Sequence, residues 1–199
     1  KRVLVSVDVT VDGKTANLSA LVYIIDSEAY TGPMNVRGTN KSSDGSSESW
    51  SGSGIFTFVL TRNDQGGATY TLTPDVSSFF FTYFFYTSKD KTCHLPYSSA
   101  VGSKFGDGGI VMAKGPNVYS INGVMAELSR TRECVNKDGM KSTQDFAPAS
   151  IISSSNGGSD PGFFPLGDGS ILNGSATYKI SSGDTQLTIN ISWNLKKVE

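Results

Sequence analysis

Apolar and polar positions alternate over the first eleven residues. Val3, Val5, Val7, Val9 and Val11 share one parity, and Arg2, Ser6, Asp8 and Thr10 take the other, with only Leu4 out of step. This spacing predicts a half-buried strand. Asp12-Gly13 follows, a dipeptide suited to a two-residue hairpin turn. The return run, 16–25, carries Leu18, Ala20, Val22 and Ile24 on one side and adds Leu21, Tyr23 and Ile25 to the other. The C-terminal region repeats the pattern more clearly. A strand over 175–180, a turn at Ser181-Ser182-Gly183-Asp184 and a partner over 185–195 place Leu187, Ile189, Ile191, Trp193 and Leu195 on one face. Gln186, Thr188, Asn190, Ser192 and Asn194 occupy the other, as in a hairpin with one face toward solvent.

Between these hairpins the signal is uneven. A strand is predicted over 55–60, with Phe56, Phe58 and Leu60 in register, then a turn at 63–67 and a return over 68–72 that Pro74-Asp75 ends. The run 79–87 is the densest in aromatics. Period-two spacing places Phe79, Phe81, Tyr83 and Phe85 on one face and Phe80, Phe84 and Tyr86 on the other. Such a strand is either covered on both sides, the commoner arrangement, or leaves half of its rings exposed for binding. Short strands are predicted over 110–113 and 118–121. The segment 124–132 fits a short helix with Val124, Met125 and Leu128 on one face, and equally a strand leading to Cys134.

Three stretches read as loops. In 26–53 the polar run 40–49 offers nothing to a core. The two readings of Trp50 are an anchor folded onto the sheet edge and a ring that stacks on a ligand. The stretch 88–109 holds Cys93, His94, Tyr97 and a Gly-rich turn, and 136–170 is irregular with a flexible run at 153–162. Phe163 and Phe164 either pin that loop or stand at its tip. The sum predicts an antiparallel two-layer β-sandwich of eight or nine strands with long Gly/Ser-rich loops and at most one short helix, in a single domain over 1–199; a curled single sheet is the alternative.

Composition narrows the setting. Seventeen Lys and Arg against eighteen Asp and Glu give a net charge of -1, which argues against a nucleic-acid partner because phosphate binding needs a surplus of cations. The most apolar window, 79–86, is far short of the roughly 20 residues of a membrane-spanning helix, and the irregular strand spacing argues against a barrel pore. Cys93 and Cys134 fit one disulfide, although two free thiols fit the count as well. The low charged fraction of 18% and the abundance of Gly, Ser and Thr favour the disulfide. With them they favour an extracytoplasmic chain, periplasmic, secreted or surface-anchored, from which a leader has been removed.

No motif specifies a reaction. His94 is the one histidine, so a multi-histidine metal site is excluded within one chain. Neighbours in a strand point to opposite faces, so Cys93 and His94 make a poor catalytic pair or zinc site. Gly-x-Ser-x-Gly, phosphate-loop and dinucleotide motifs are missing. Asp107, Glu127, Asp160 and Asp168 are the carboxylates to consider for glycoside hydrolysis, which needs two acids across a cleft. Asn63-Asp64, Asn156 with Asp160, and Asp168 with Asn173 are oxygen-rich sets to consider for calcium. Asn17, Asn40, Asn173 and Asn190 lie in glycosylation sequons.

The expectation is a non-enzymatic extracytoplasmic β-sandwich, a secreted or cell-surface binding or structural module that needs no cofactor. Its partner is a glycan or a protein met through Trp50, Tyr97, Phe163 and Phe164, since flat rings give large contact at low entropic cost. The alternatives are a small carbohydrate-active hydrolase and an envelope or adhesion assembly subunit that pairs through a strand edge. Oligomeric state is not encoded in these features.

Overall fold

Two of the longest strands grow from the segment whose sequence reads as loop. A computed structural model describes residues 2–12, 14–23, 27–94, 104–105, 108–122, 126–127, 130–146 and 162–198. Its strands are β1 (Arg2–Val11), β2 (Lys14–Tyr23), β3 (Ala29–Ser42), β4 (Ser47–Asn63), β5 (Gly67–Leu72), β6 (Ser78–Thr87), β7 (Lys91–His94), β8 (Lys104–Phe105), β9 (Gly109–Ala113) and β10 (Val118–Asn122). They continue with β11 (Ala126–Glu127), β12 (Arg130–Asn136), β13 (Lys141–Phe146), β14 (Phe164–Pro165), β15 (Ile171–Ser182) and β16 (Thr185–Val198). The described part of the ambiguous 124–132 segment is extended. One 3-10 turn, Pro74–Val76, is the only helical element among the described residues.

β3 and β4 pair from Ala29↔Val59 to Lys41↔Ser47 around a tight turn, so the polar run 40–49 is mostly ladder rather than loop. The residues that flank this run anchor the ladder on the inward face. Where the strand lacks a large side chain, a ring from the next strand lies over the gap. Trp50 lies over Gly38, Phe79 over Gly52 and Trp193 over Gly174. The apolar mass that identifies a strand is supplied by its neighbours.

β4 branches the sheet. Its first half pairs with β6 and its second half with β5. One branch runs β6-β7-β12-β13, and the other runs β5-β9-β10-β14. On the far side of β4, β3 pairs with β16 and β16 with β15. The second branch folds over β15 and β16 as the opposing layer of a sandwich. Tyr119 on β10 donates to the Asn173 carbonyl at 2.9 Å and accepts from Trp193 Nε1 at 2.9 Å. At the same layer junction the Tyr30 and Tyr70 rings meet edge to face at 5.0 Å. Met34, Phe56, Phe58, Phe79, Ile110, Ile121, Leu172, Ile189 and Leu195 are almost completely buried between the layers.

The N-terminal hairpin departs from expectation. β1 and β2 pair about the Asp12-Gly13 turn, Val7 opposite Leu18, but among the described strands each pairs only with the other. Val5, Val7, Val9 and Val11 are exposed rather than half-buried.

Candidate binding face

The geometry of β6 decides which rings reach solvent. Trp50 opposes Phe84 and Ser51 opposes Tyr83, but Gly52 opposes Phe81. Thr82 is the extra residue of a β-bulge, and its Oγ1 lies 3.0 Å from Ser51 Oγ. A bulge reverses the in/out parity beyond it. Phe79, Phe81 and Phe84 therefore all point inward and are buried, with Tyr86 packed beside them. Phe80, Tyr83 and Phe85 point outward and are 42%, 50% and 39% exposed. The period-two grouping of Tyr83 and Phe85 with Phe79 and Phe81 is thus corrected. One inserted threonine, invisible to periodicity, makes the difference.

The three outward rings border a broad hydroxyl- and amide-rich surface. Tyr83 stands opposite Ser51, Ser51 opposite Arg37, Arg37 opposite Asn190 and Asn190 opposite Thr177. The flanking rows run Phe80-Ser53-Asn35-Ser192-Ser175 and Phe85-Ser49-Thr39-Thr188-Lys179. A shallow depression of about 440 Å³ is centred on Asn35, Arg37, Thr177 and Asn190. On its other side Phe85 opposes His94, whose Nε2 lies 3.5 Å from Glu133 Oε2 in an exposed pair.

The inward face beneath the β6 branch has a polar rim. The Arg132 guanidinium lies over the Tyr86 ring at 5.3 Å, and Gln144 Oε1 accepts from Lys91 Nζ at 3.1 Å and from Arg132 at 3.3 Å. Burial raises the Glu48 carboxyl above its ordinary value, and the charge of Arg132 opposes that rise only in part. At the opposite end, burial tends to raise Glu28. Hydrogen bonds from Lys197, at 2.8 Å, and from Tyr70 outweigh it and hold the carboxyl below its ordinary value. Burial, reinforced by Glu28, pushes the Tyr70 phenol up. This cluster ties the start of β3 to β5 and β16.

The described residues among those singled out in the sequence take different places in the fold. Trp50 lies mid-sheet on the inward face, 5% exposed, edge-on to Phe81 at 5.5 Å. Phe164 packs on Trp193 at 4.8 Å and Tyr119 at 5.6 Å, while Phe163 beside it is 64% exposed. Tyr97 lies outside the described residues, as do Asp107, Asn156 and Asp160. Cys93 and Cys134 form a disulfide between directly opposed residues of β7 and β12, with Cα atoms 4.0 Å apart. His94 points away from that disulfide, as strand alternation requires.

Asp64 and Asp168 are engaged locally, while the side chain of Glu127 lies outside the described ones. Asp64 accepts from the Gly66 and Gly67 amides and pairs with Arg62 at 2.7 Å. Asp168 accepts from the Ser170 amide and hydroxyl, bonds that lower its pKa. These are turn-forming roles. No group of three His, Cys, Asp or Glu side chains suited to a metal ion occurs among the described residues. Sequence reasoning did not single out Phe80, Tyr83 and Phe85 as a set. The available signal was a run aromatic at both parities, beside the Ser/Gly-rich segment that forms β4. Comparison of the chain with models of known families, with curated proteins and with solved structures finds no match to any of them.

Proposed function

We propose that the chain is a non-enzymatic extracytoplasmic binding module that holds a glycan against the outward face of its large sheet. The observation that carries this reading is the row Phe80, Tyr83 and Phe85, exposed by the bulge and continuous with a field of Ser, Thr and Asn side chains. Rings stack on the apolar face of a sugar, while hydroxyls and amides exchange hydrogen bonds with its rim. The disulfide supports an oxidising compartment, where extended glycans are abundant.

The test is affinity electrophoresis through gels that contain neutral or acidic polysaccharides, comparing the parent with a Phe80→Ser/Tyr83→Ser/Phe85→Ser variant. Retardation of the parent by at least one glycan, lost in a variant that keeps its circular dichroism and melting midpoint, is expected. No retardation by any polysaccharide would overturn the reading. A second reading, an assembly subunit, has one observation in its favour. β15 pairs with β16 alone, so its other edge of twelve residues is without a strand partner among the described residues. Parent protein that forms dimers or fibres in sedimentation, abolished by Thr177→Pro, would favour it.

A further inference from the structure

We infer that the glycan taken by the outward face is acidic, a polyuronate or a sulfated polymer; this rests on the glycan reading above. The observation is a segregation of charge. The whole chain is nearly balanced at 17 cations to 18 acids. The outward positions of the five strands β15, β16, β3, β4 and β6 carry Lys179, Lys196, Arg37, Lys41 and Arg62 and no Asp or Glu. Glu48, the one acid within those strands, faces inward opposite Asn40 and is half-buried. Asp44 and Asp184, at the end nearest Lys41, lie in the connecting turns. Of these five only Arg62 pairs with a carboxylate, that of Asp64, among the described residues.

The spacing suits a chain rather than a small anion. Arg37 and Tyr83 share one cross-strand row and lie two strands apart, about 10 Å. Lys179 stands in the next row, two strands from Thr39, so its Cα is about 12 Å from those of both Arg37 and Lys41. Charges carried this far apart repel one another weakly in salt. They can meet successive carboxylates or sulfates of a polymer whose sugar rings stack on β6. Single-stranded nucleic acid also combines stacking with negative charge. The four unpaired cations lie on a chain of net charge -1, and the oxidising setting that the disulfide implies favours an acidic glycan over nucleic acid.

The experiment measures binding of the full chain, disulfide intact, to a polyuronate, a sulfated glycan, a neutral glucan and a single-stranded oligonucleotide, at low and high salt. Three proteins are compared. These are the parent, Arg37→Gln/Lys179→Gln, and the charge-matched control Lys89→Gln/Lys137→Gln, whose substitutions lie in exposed turns. The parent is expected to prefer at least one acidic glycan over the glucan and to lose affinity as salt rises. The face variant is expected to bind it roughly 3- to 10-fold more weakly, while the control binds as the parent does. Equal binding of neutral and acidic glycans, unaffected by Arg37→Gln/Lys179→Gln, overturns the acidic ligand and leaves the glycan reading standing. Equal losses in the face variant and the control overturn it too, since net charge alone then accounts for the binding. Binding of the oligonucleotide in preference to every glycan, or of none of the four probes, overturns both.

Discussion

The pairing of Gly38 with Trp50 makes a sign-reversing prediction. A methyl group at Gly38 would place Cβ 2.1 Å from Cε2, 2.3 Å from Cζ2 and 2.4 Å from Nε1 of the indole. Carbon atoms settle at about 3.5–4.0 Å, so the ring would have to retreat by more than about 1 Å. Its way is blocked, because Trp50 is 5% exposed and stands edge-on to Phe81. Overpacking of this kind costs about 1–3 kcal/mol, and the rigidity of the site places Gly38→Ala near 3 kcal/mol. Trp50→Ala removes the ring and costs about 3–5 kcal/mol. In that background the added methyl meets no indole, and replacing glycine stabilises by about 0.4–1 kcal/mol through the unfolded chain. The double variant should therefore match or exceed Trp50→Ala in stability, whereas independent effects would put it about 3 kcal/mol lower. Urea unfolding followed by far-ultraviolet circular dichroism, under non-reducing conditions, measures all four corners of the cycle. Additivity within about 0.5 kcal/mol would refute the claim that the indole stands in for the side chain Gly38 lacks.

Phe164→Ala should cost about 3–5 kcal/mol because its ring packs on Trp193 and Tyr119, and Phe163→Ala less than about 0.5 kcal/mol because its ring is exposed; equal losses in a denaturant melt would contradict the packing. Denatured, unreduced protein should show no reactive thiols, and Cys93→Ala/Cys134→Ala should lose about 4 kcal/mol, the loop-entropy value for a separation of 41 residues. Glu28 and Glu48 should give opposite pH dependences. The stabilisation from the lowered Glu28 carboxyl is complete above its unfolded value of about 4.3 and fades as pH falls through its lower folded value, so the deficit of Glu28→Gln should shrink in acid. Glu48 is raised, so its ionised form costs stability above its folded value and the cost disappears below about 4.3. Glu48→Gln should therefore be the more stable protein at neutral pH and lose that advantage in acid; melting midpoints across the acid range check both signs.

The terminal hairpins and the all-β class were legible because alternation is a local property: Ile189, Ile191 and Trp193 share a face whatever they pack against. The odds of a disulfide followed from an even cysteine pair in a chain of low charge, but its place opposite Tyr86 and beside Arg132 did not. Three features needed the tertiary structure. The polar segment 40–49 became mostly strand because it continues the ladder of β3 with β4 on either side of a tight turn, and that pairing is not written in the segment itself. Phe80, Tyr83 and Phe85 came to one face because Thr82 is inserted against Ser51, and the register of a pair belongs to two strands rather than one. Trp50 went inside because Gly38 left a space for it twelve residues away. Along the chain, an exposed aromatic and one filling a neighbour's gap are the same letter, and only the partner strand tells them apart.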